Sequence, residues 1–217
     1  MAPEIYDLSI VFVGDINPVI ISPFWLAHKG LIQETEGENA KVDIVHNEIC
    51  KFDLEWASFE ITRQRFQIRT TKESFFEVSK DLATSIFRLL KDTPLNLLGI
   101  NHILHYRLDE EKYEKLGKVL VPFENWESIL TNPKLFQLEM AEEKRKDGLN
   151  GHYRIRLSPS ELIRSFGVSM NLNDQLSKQT EKTVGATEMV DLLNKHWKSS
   201  LERAQNISTQ LWKNLDL

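Results

Sequence analysis

The sequence predicts an α+β protein with mostly antiparallel sheets, built from two strand-helix halves and a long C-terminal amphipathic helix. Three observations support this fold class. Apolar residues alternate with polar ones in several short stretches, which is typical of half-buried strands. A strong turn signal, 147–151, separates two such stretches and predicts a hairpin. The segment from Thr187 to about Asn214 contains neither proline nor glycine and has helical periodicity.

The clearest periodic signal lies between Phe52 and Leu108, which reads as strand, strand, helix and strand. The last strand of this unit is predicted to bury one face, made of every second residue. That face is Leu98, Ile100, His102, Leu104, Tyr106 and Leu108. No regular βαβ alternation follows, so antiparallel meanders and hairpins are expected.

The chain divides into three segments on these patterns. Residues 1–108 form the first strand-helix half, and residues 109–185 supply helices plus an antiparallel three-strand segment. Residues 186–217 form the long helix. The three segments are also compatible with one domain, because 217 residues fall within the usual size of either arrangement.

Two expectations concern the segment that follows Leu108. Pro122 to Leu130 is predicted to be a helix, with Phe123, Trp126, Ile129 and Leu130 on one face. Glu142 to Lys146 is interpreted as a solvated charge run.

The apolar residues of the C-terminal helix recur at three- and four-residue steps, with Ser200 breaking the series. They are Val190, Leu193, Trp197, Ala204, Ile207 and Leu211. At 1.5 Å per residue the helix is on the order of 40 Å long. It either lies across its own sheet or forms a seam with a partner or a second copy. The second alternative makes these six residues a candidate partner-binding surface.

Composition excludes several classes of protein. The chain is 41% hydrophobic with a formal charge of −5, which argues against a general DNA-coating role. Cys50 is the only cysteine, so a disulfide scaffold is excluded and a reducing compartment is favoured. Neither a signal-peptide pattern nor an apolar run of about 20 residues is present. We therefore expect a cytoplasmic protein that does not associate with membranes.

Catalytic and cofactor motifs are missing from the sequence. It contains no phosphate-binding glycine loop of either common type and no nucleophile elbow. The six histidines lack metal-ligand spacing, and His102 and His105 fall on opposite faces of one strand. We therefore predict no catalytic residue, no metal site and no cofactor, and a non-enzymatic protein is favoured.

Polar residues interrupt two of the buried-looking strands. Asn101 and His102 follow Gly99 on one strand, and Asn171, Asn173 and Asp174 end another. A glycine within a strand indicates a close backbone approach or a bulge. These five polar residues are the candidate ligand-binding site, although asparagines also satisfy backbone groups at turns and edges.

Arginines offer a different hypothesis. Arg154 and Arg156 share the outward face of one predicted strand with His152. Clustered arginines contact nucleic-acid phosphates, but they also protect edge strands from aggregation. Given the negative net charge, nucleic-acid binding is the weaker alternative.

Several short motifs resemble a family of small, sporadically distributed bacterial proteins of unassigned function. The first is Asn17-Pro18-x-x-Ile21-x-Pro23-x-Trp25-Leu26. The others are Thr93-Pro94 before Leu98-Gly99-Ile100-Asn101, and the closing Asn171-Leu172-Asn173-Asp174. The resemblance covers most of residues 1–175 and leaves the C-terminal helix outside. It implies a bacterial, cytoplasmic α+β protein and carries over no catalytic residue.

These observations leave three hypotheses for function. The first is a binding or assembly protein that self-associates as a homo-oligomer, or docks a protein partner, through its C-terminal helix. The second is an enzyme or small-ligand receptor with a pocket near Asn101 and His102. The third is a nucleic-acid-binding protein that uses Arg154 and Arg156.

Overall fold

A computed structural model describes residues 1–177 and 185–216 of the chain. The strands are β1 (Ile5–Gly14), β2 (Lys41–His46), β3 (Ile49–Asp53), β4 (Ser58–Thr62), β5 (Arg65–Thr70), β6 (Leu95–Arg107), β7 (Leu138–Glu142), β8 (Gly151–Pro159) and β9 (Gly167–Ser177). The helices are α1 (Pro23–His28), α2 (Glu34–Glu38), α3 (Phe76–Leu89), α4 (Glu110–Leu120) and α5 (Thr187–Asn214). This α+β content agrees with the predicted fold class.

All nine strands join one antiparallel sheet in the order β2-β3-β4-β5-β1-β6-β9-β8-β7. β1 lies in the interior of the sheet, between β5 and β6. β6 in turn pairs with β9 along eleven residue positions. The strands of both predicted halves therefore share one sheet, a question that the hydrophobic pattern left open.

The two faces of the sheet differ in character because successive strand residues point to opposite sides. Alternate residues of β1, β6 and β9, such as Ile10, Ile100 and Leu172, are buried in the apolar core with α3 and α5. The opposite face, which we call the open face, carries mostly polar side chains. On β8 and β9 these side chains are partly or fully exposed, apart from Gly167.

Helix α5 begins and ends where the sequence predicts and lies across the sheet. Its proposed partner-binding residues Val190, Leu193, Trp197 and Ala204 are buried in the core, and Ile207 and Leu211 are partly buried against it. The expectation that this face is free for a partner is therefore corrected: the chain's own sheet covers it.

Hydrogen bonds from side chains complete the docking of α5. Ser200, which breaks the apolar series, contacts His102 with 3.0 Å between Oγ and Nε2. Ser208 bonds to Tyr106, and Trp197 Nε1 donates to Glu77 Oε1 at 2.6 Å. A polar residue within the apolar stripe thus meets a polar residue of the core.

Two local expectations are wrong. The segment predicted as a helix from Pro122 to Leu130 forms only a 3₁₀ turn at Phe123–Asn125, and Ile129 is largely exposed. The charge run at Glu142–Lys146 is not simply solvated, since Arg145 is buried. No helix in the described part of the chain is long and apolar enough to cross a membrane.

Candidate ligand-binding site on the open sheet face

Strand pairing brings side chains from distant parts of the sequence into rows across the open face. One row runs from Arg69 through Ser9, Asn101 and Asn173 to Arg154, each residue directly opposite the next on the neighbouring strand. Cross-strand neighbours lie about 4.5–5.5 Å apart at Cβ, which is close enough for polar side chains to interact. Asn101 and Asn173 of the ligand-site hypothesis therefore lie in one row with Arg154 of the nucleic-acid hypothesis.

A second row flanks the first and contains Asn171, Arg156 and Glu139. Together the two rows and Gln175 surround a depression of about 270 Å³. Its lining is entirely polar: Asn101, Glu139, Arg154, Arg156, Asn171, Asn173 and Gln175.

The amides at the base of the depression form a hydrogen-bonded ladder. Asn173 Nδ2 donates to Asn101 Oδ1, and Asn101 Nδ2 donates to Ser9 Oγ at 3.1 Å. Ser9 is 5% exposed, so the ladder is anchored in the interior of the sheet. This anchoring fixes the orientation of both asparagines.

The two arginines at the rim have different partners. Arg156 Nε donates to Glu139 Oε2 at 3.0 Å, and its terminal nitrogen lies 2.9 Å from the same oxygen. Arg154 comes no closer than 4.0 Å to Glu139, and its side chain is half exposed. Within the described chain, the Arg154 guanidinium thus has no close carboxylate partner.

Half of the unpaired buried polar atoms of the described residues lie on the open face. The described residues include eight buried side-chain polar atoms without a hydrogen-bond partner. Four of them belong to open-face residues of β1, β6, β8 and β9: Asp7 Oδ1, His105 Nε2, His152 Nε2 and Asn171 Oδ1. An unpaired buried polar atom costs about 1–3 kcal/mol, so such a group requires an explanation.

Gly99 borders the amide ladder and does not fit the expected bulge or close backbone approach. The pairing of β1 with β6 continues through Gly99 without a shift. A Cβ added there would lie 3.6 Å from Val11 Cβ and 3.8 Å from Asn101 Nδ2, both ordinary contacts. The backbone therefore does not need glycine here, and the missing side chain leaves space beside the ladder.

The structure divides the five residues predicted as a ligand site between the two faces of the sheet. Asn101, Asn171 and Asn173 line the depression. His102 and Asp174 point to the opposite face and are buried beneath α5. This corrects the predicted grouping, because residues adjacent in a strand point in opposite directions.

Asp174 belongs to an ionic network in the interior. Arg145 Nη1 donates to Asp174 Oδ1 at 2.6 Å, and Arg145 Nη2 donates to Asp147 Oδ2 at 2.6 Å. The hydrogen bond from Arg145 lowers the pKa of Asp147 to about 2. Arg203 of α5 joins this network through Glu142 and Asp147, so these charges hold the helix to the hairpin between β7 and β8.

His102 is a packing residue with both ring nitrogens occupied. Its Nδ1 lies 2.8 Å from the Tyr6 hydroxyl, and its Nε2 bonds to Ser200. Burial lowers the pKa of His102 to about 4, so the ring is neutral at pH 7. A neutral, fully enclosed imidazole of this kind contributes to the docking of α5 and contacts no cavity of the open face.

Two other cavities also include a residue with an unpaired buried polar atom, Tyr153 in a cavity beside α5 and His196 in a cavity beside Arg145. The cavity of about 580 Å³ beside α4 includes Leu116, Leu157 and Val168 in its walls. None of the unpaired buried polar atoms of the described residues lines it. Among the described residues, no group of three or more His, Cys, Asp or Glu side chains could hold a metal ion.

Sequence reasoning missed Glu139 and Gln175 as residues of the site. The polar composition from Asp174 onward predicts a loop or a weak helix, but β9 continues through Gln175 to Ser177. The alternation of Asn171, Asn173 and Gln175 is the signal that predicts a continued strand with one polar face. Glu139 becomes a neighbour only through the pairing of β7 with β8.

Comparison of the chain with models of known protein families and with curated proteins finds no match. The depression offers guanidinium and amide donors, amide acceptors and one carboxylate. Guanidinium and amide groups of this kind orient a bound molecule through hydrogen bonds.

Proposed function

We propose that the protein is a binding protein that holds a small polar ligand in the depression on its open face. The observation that carries this proposal is the convergence of seven polar side chains from four strands around one depression. They come from β6, β7, β8 and β9 and include Asn171, whose buried Oδ1 has no protein partner. A receptor needs such convergent polar groups to orient its ligand.

The energetic cost of the arrangement supports a role in binding. A glycine in the middle of a strand costs roughly 0.5–1 kcal/mol relative to alanine. An unpaired buried acceptor also reduces stability. Gly99 and Asn171 both carry such a cost, and neither is required by the packing around it. Costs of this kind are characteristic of functional sites.

The other two hypotheses have less support. Self-association through α5 would need residues that pack on the chain's own sheet. Single-stranded nucleic acid is bound on sheets by aromatic side chains that stack with bases. On the described strands, no Phe, Tyr or Trp ring points to the open face. A polar small molecule suits the site better than a nucleic acid.

The substitution Asn171→Leu tests the proposal because stability and binding should change in opposite directions. Removing the unpaired amide should raise the free energy of unfolding by about 1 kcal/mol. It should also weaken the ligand-observed NMR signals of the metabolites that bind the wild-type protein in a screen of small polar metabolites. Urea denaturation and saturation-transfer NMR provide the two measurements.

Gln67→Leu is the matched control, since Gln67 lies on the same face on β5, outside the depression. It should leave the NMR signals of bound metabolites unchanged. Equal binding by the wild-type protein and Asn171→Leu would refute the proposed site.

A further inference from the structure

The groups left without partners in the depression define the chemistry of its ligand; this step rests on the function proposed above. We infer that the ligand is a small acid that also carries a hydroxyl or amino group, with the acid on Arg154 and the donor on Asn171. The acid is a carboxylate or a phosphate, both of which match a guanidinium.

The inference of an acidic group rests on Arg154. A guanidinium presents a planar fork of donors that matches the two oxygens of a carboxylate or phosphate. The nearest carboxylate, Glu139, is engaged by Arg156 at 2.9–3.0 Å and lies 4.0 Å from Arg154. Arg154 therefore keeps its donors for a ligand.

The net charge of the lining residues also favours an anionic ligand. The lining contains two arginines and one glutamate, whereas the whole chain carries a formal charge of −5. A cationic depression on an anionic protein favours an anionic ligand. His152 adds no charge at pH 7, because burial and the neighbouring Arg154 lower its pKa.

The inference of a donor rests on Asn171. Its Oδ1 is buried and unpaired, and a carbonyl oxygen accepts hydrogen bonds. Asn171 lies opposite Arg156 on the neighbouring strand, one row away from Arg154. A hydroxyl or amino group on the ligand would satisfy this oxygen.

The size of the depression restricts the ligand further. A volume of about 270 Å³ lies below the range of about 300–1,000 Å³ for sites that hold drug-sized molecules. The lining residues also include no aromatic side chain. A compact, hydrophilic acid fits these limits better than a nucleotide, whose base would require a stacking surface.

Five probes test separately the need for an acid and the need for a hydroxyl group, and they compare a carboxylate with a phosphate. Glycerate and glycerol 3-phosphate carry both an acid and hydroxyl groups. Propionate and propyl phosphate carry the acid alone, and glycerol carries the hydroxyls alone. We expect glycerate, glycerol 3-phosphate or both to bind with a Kd at least tenfold lower than that of glycerol and of the matching simple acid, which is propionate or propyl phosphate. Chemical-shift titration of backbone amides at 25 °C gives each Kd.

Variants assign each group of the ligand to its residue. Arg154→Gln should raise the Kd for the preferred acid at least tenfold, while the matched variant Arg65→Gln, on the same face at β5, should not change it. Asn171→Leu should remove the advantage of the hydroxylated acid over the simple one. Loss of affinity in Arg65→Gln equal to that in Arg154→Gln would overturn the assignment.

The outcomes distinguish this inference from the proposed function. If glycerol bound as tightly as both hydroxylated acids and lost its binding in Asn171→Leu, the site would stand and the acid requirement would fail. If the probes bound Asn171→Leu and Arg154→Gln as tightly as the wild-type protein, both the site and the ligand class would be wrong. Absence of any titration shift at 20 mM of each probe would also overturn both.

Discussion

Replacing Arg145 with alanine should lower the free energy of unfolding by about 3–5 kcal/mol, the cost of leaving a buried charge without its partner. The side chains of Arg145 and Asp174 are 2% and 5% exposed. Without the guanidinium, the Asp174 carboxylate would remain in the interior with no cation to stabilise it. Urea denaturation of the two proteins at pH 7 gives the difference directly.

Two comparisons make this prediction specific. Arg154→Ala removes an exposed arginine and should change stability by no more than about 1 kcal/mol. Arg145→Met combined with Asp174→Leu should be more stable than Arg145→Met alone, because the double variant buries no charge. A loss below about 1 kcal/mol for Arg145→Ala would contradict the placement of this residue in the interior.

His102 should make the protein less stable in acid, by roughly 3 kcal/mol between pH 6.5 and 4, since each unit of pKa shift corresponds to about 1.4 kcal/mol. Burial lowers the pKa of His102 from 6.5 to about 4 in the folded protein. Below pH 6.5 the unfolded chain binds a proton that the folded protein does not accept. The contribution is therefore complete above pH 6.5 and is lost as the pH falls toward 4.

The variant His102→Gln isolates this effect from other titrating groups. At pH 7 the variant should be less stable, because it disturbs the contacts with Tyr6 and Ser200. The difference from the wild-type protein should shrink by roughly 3 kcal/mol when both are measured at pH 4. A difference that stays constant between the two pH values would show that His102 is protonated as readily in the folded protein as in the unfolded chain.

The sequence predicts the faces of single strands well, because a period of two residues is visible in one stretch of chain. Asn101, Asn171, Asn173, Arg154 and Arg156 all lie on strands that alternation identifies. The pairing between strands is not visible in the same way. The sequence alone therefore assigns the asparagines and the arginines to separate hypotheses, and the position of β9 between β6 and β8 brings them together.

The errors have a common physical origin in tertiary contacts. Closeness in the chain predicts that His102 and Asp174 join the asparagines, but successive side chains of a strand point to opposite faces. Pro122 to Leu130 has a helical pattern, but Ile129 finds no apolar surface to pack on and only one 3₁₀ turn forms. A short amphipathic segment is not a stable helix without such packing.

The interior position of β1 has a consequence for how the chain folds during synthesis. Leu8 pairs with Thr70 on one side and with His102 on the other. At a translation rate of about 5–20 residues per second, the second partner is synthesised roughly 5–20 seconds after Leu8. Over that interval the apolar residues of β1 lack one strand neighbour, which is the condition under which nascent chains aggregate or engage chaperones. Among the strands of the sheet, β1 thus waits longest for a neighbour and needs protection from aggregation for the longest time during synthesis.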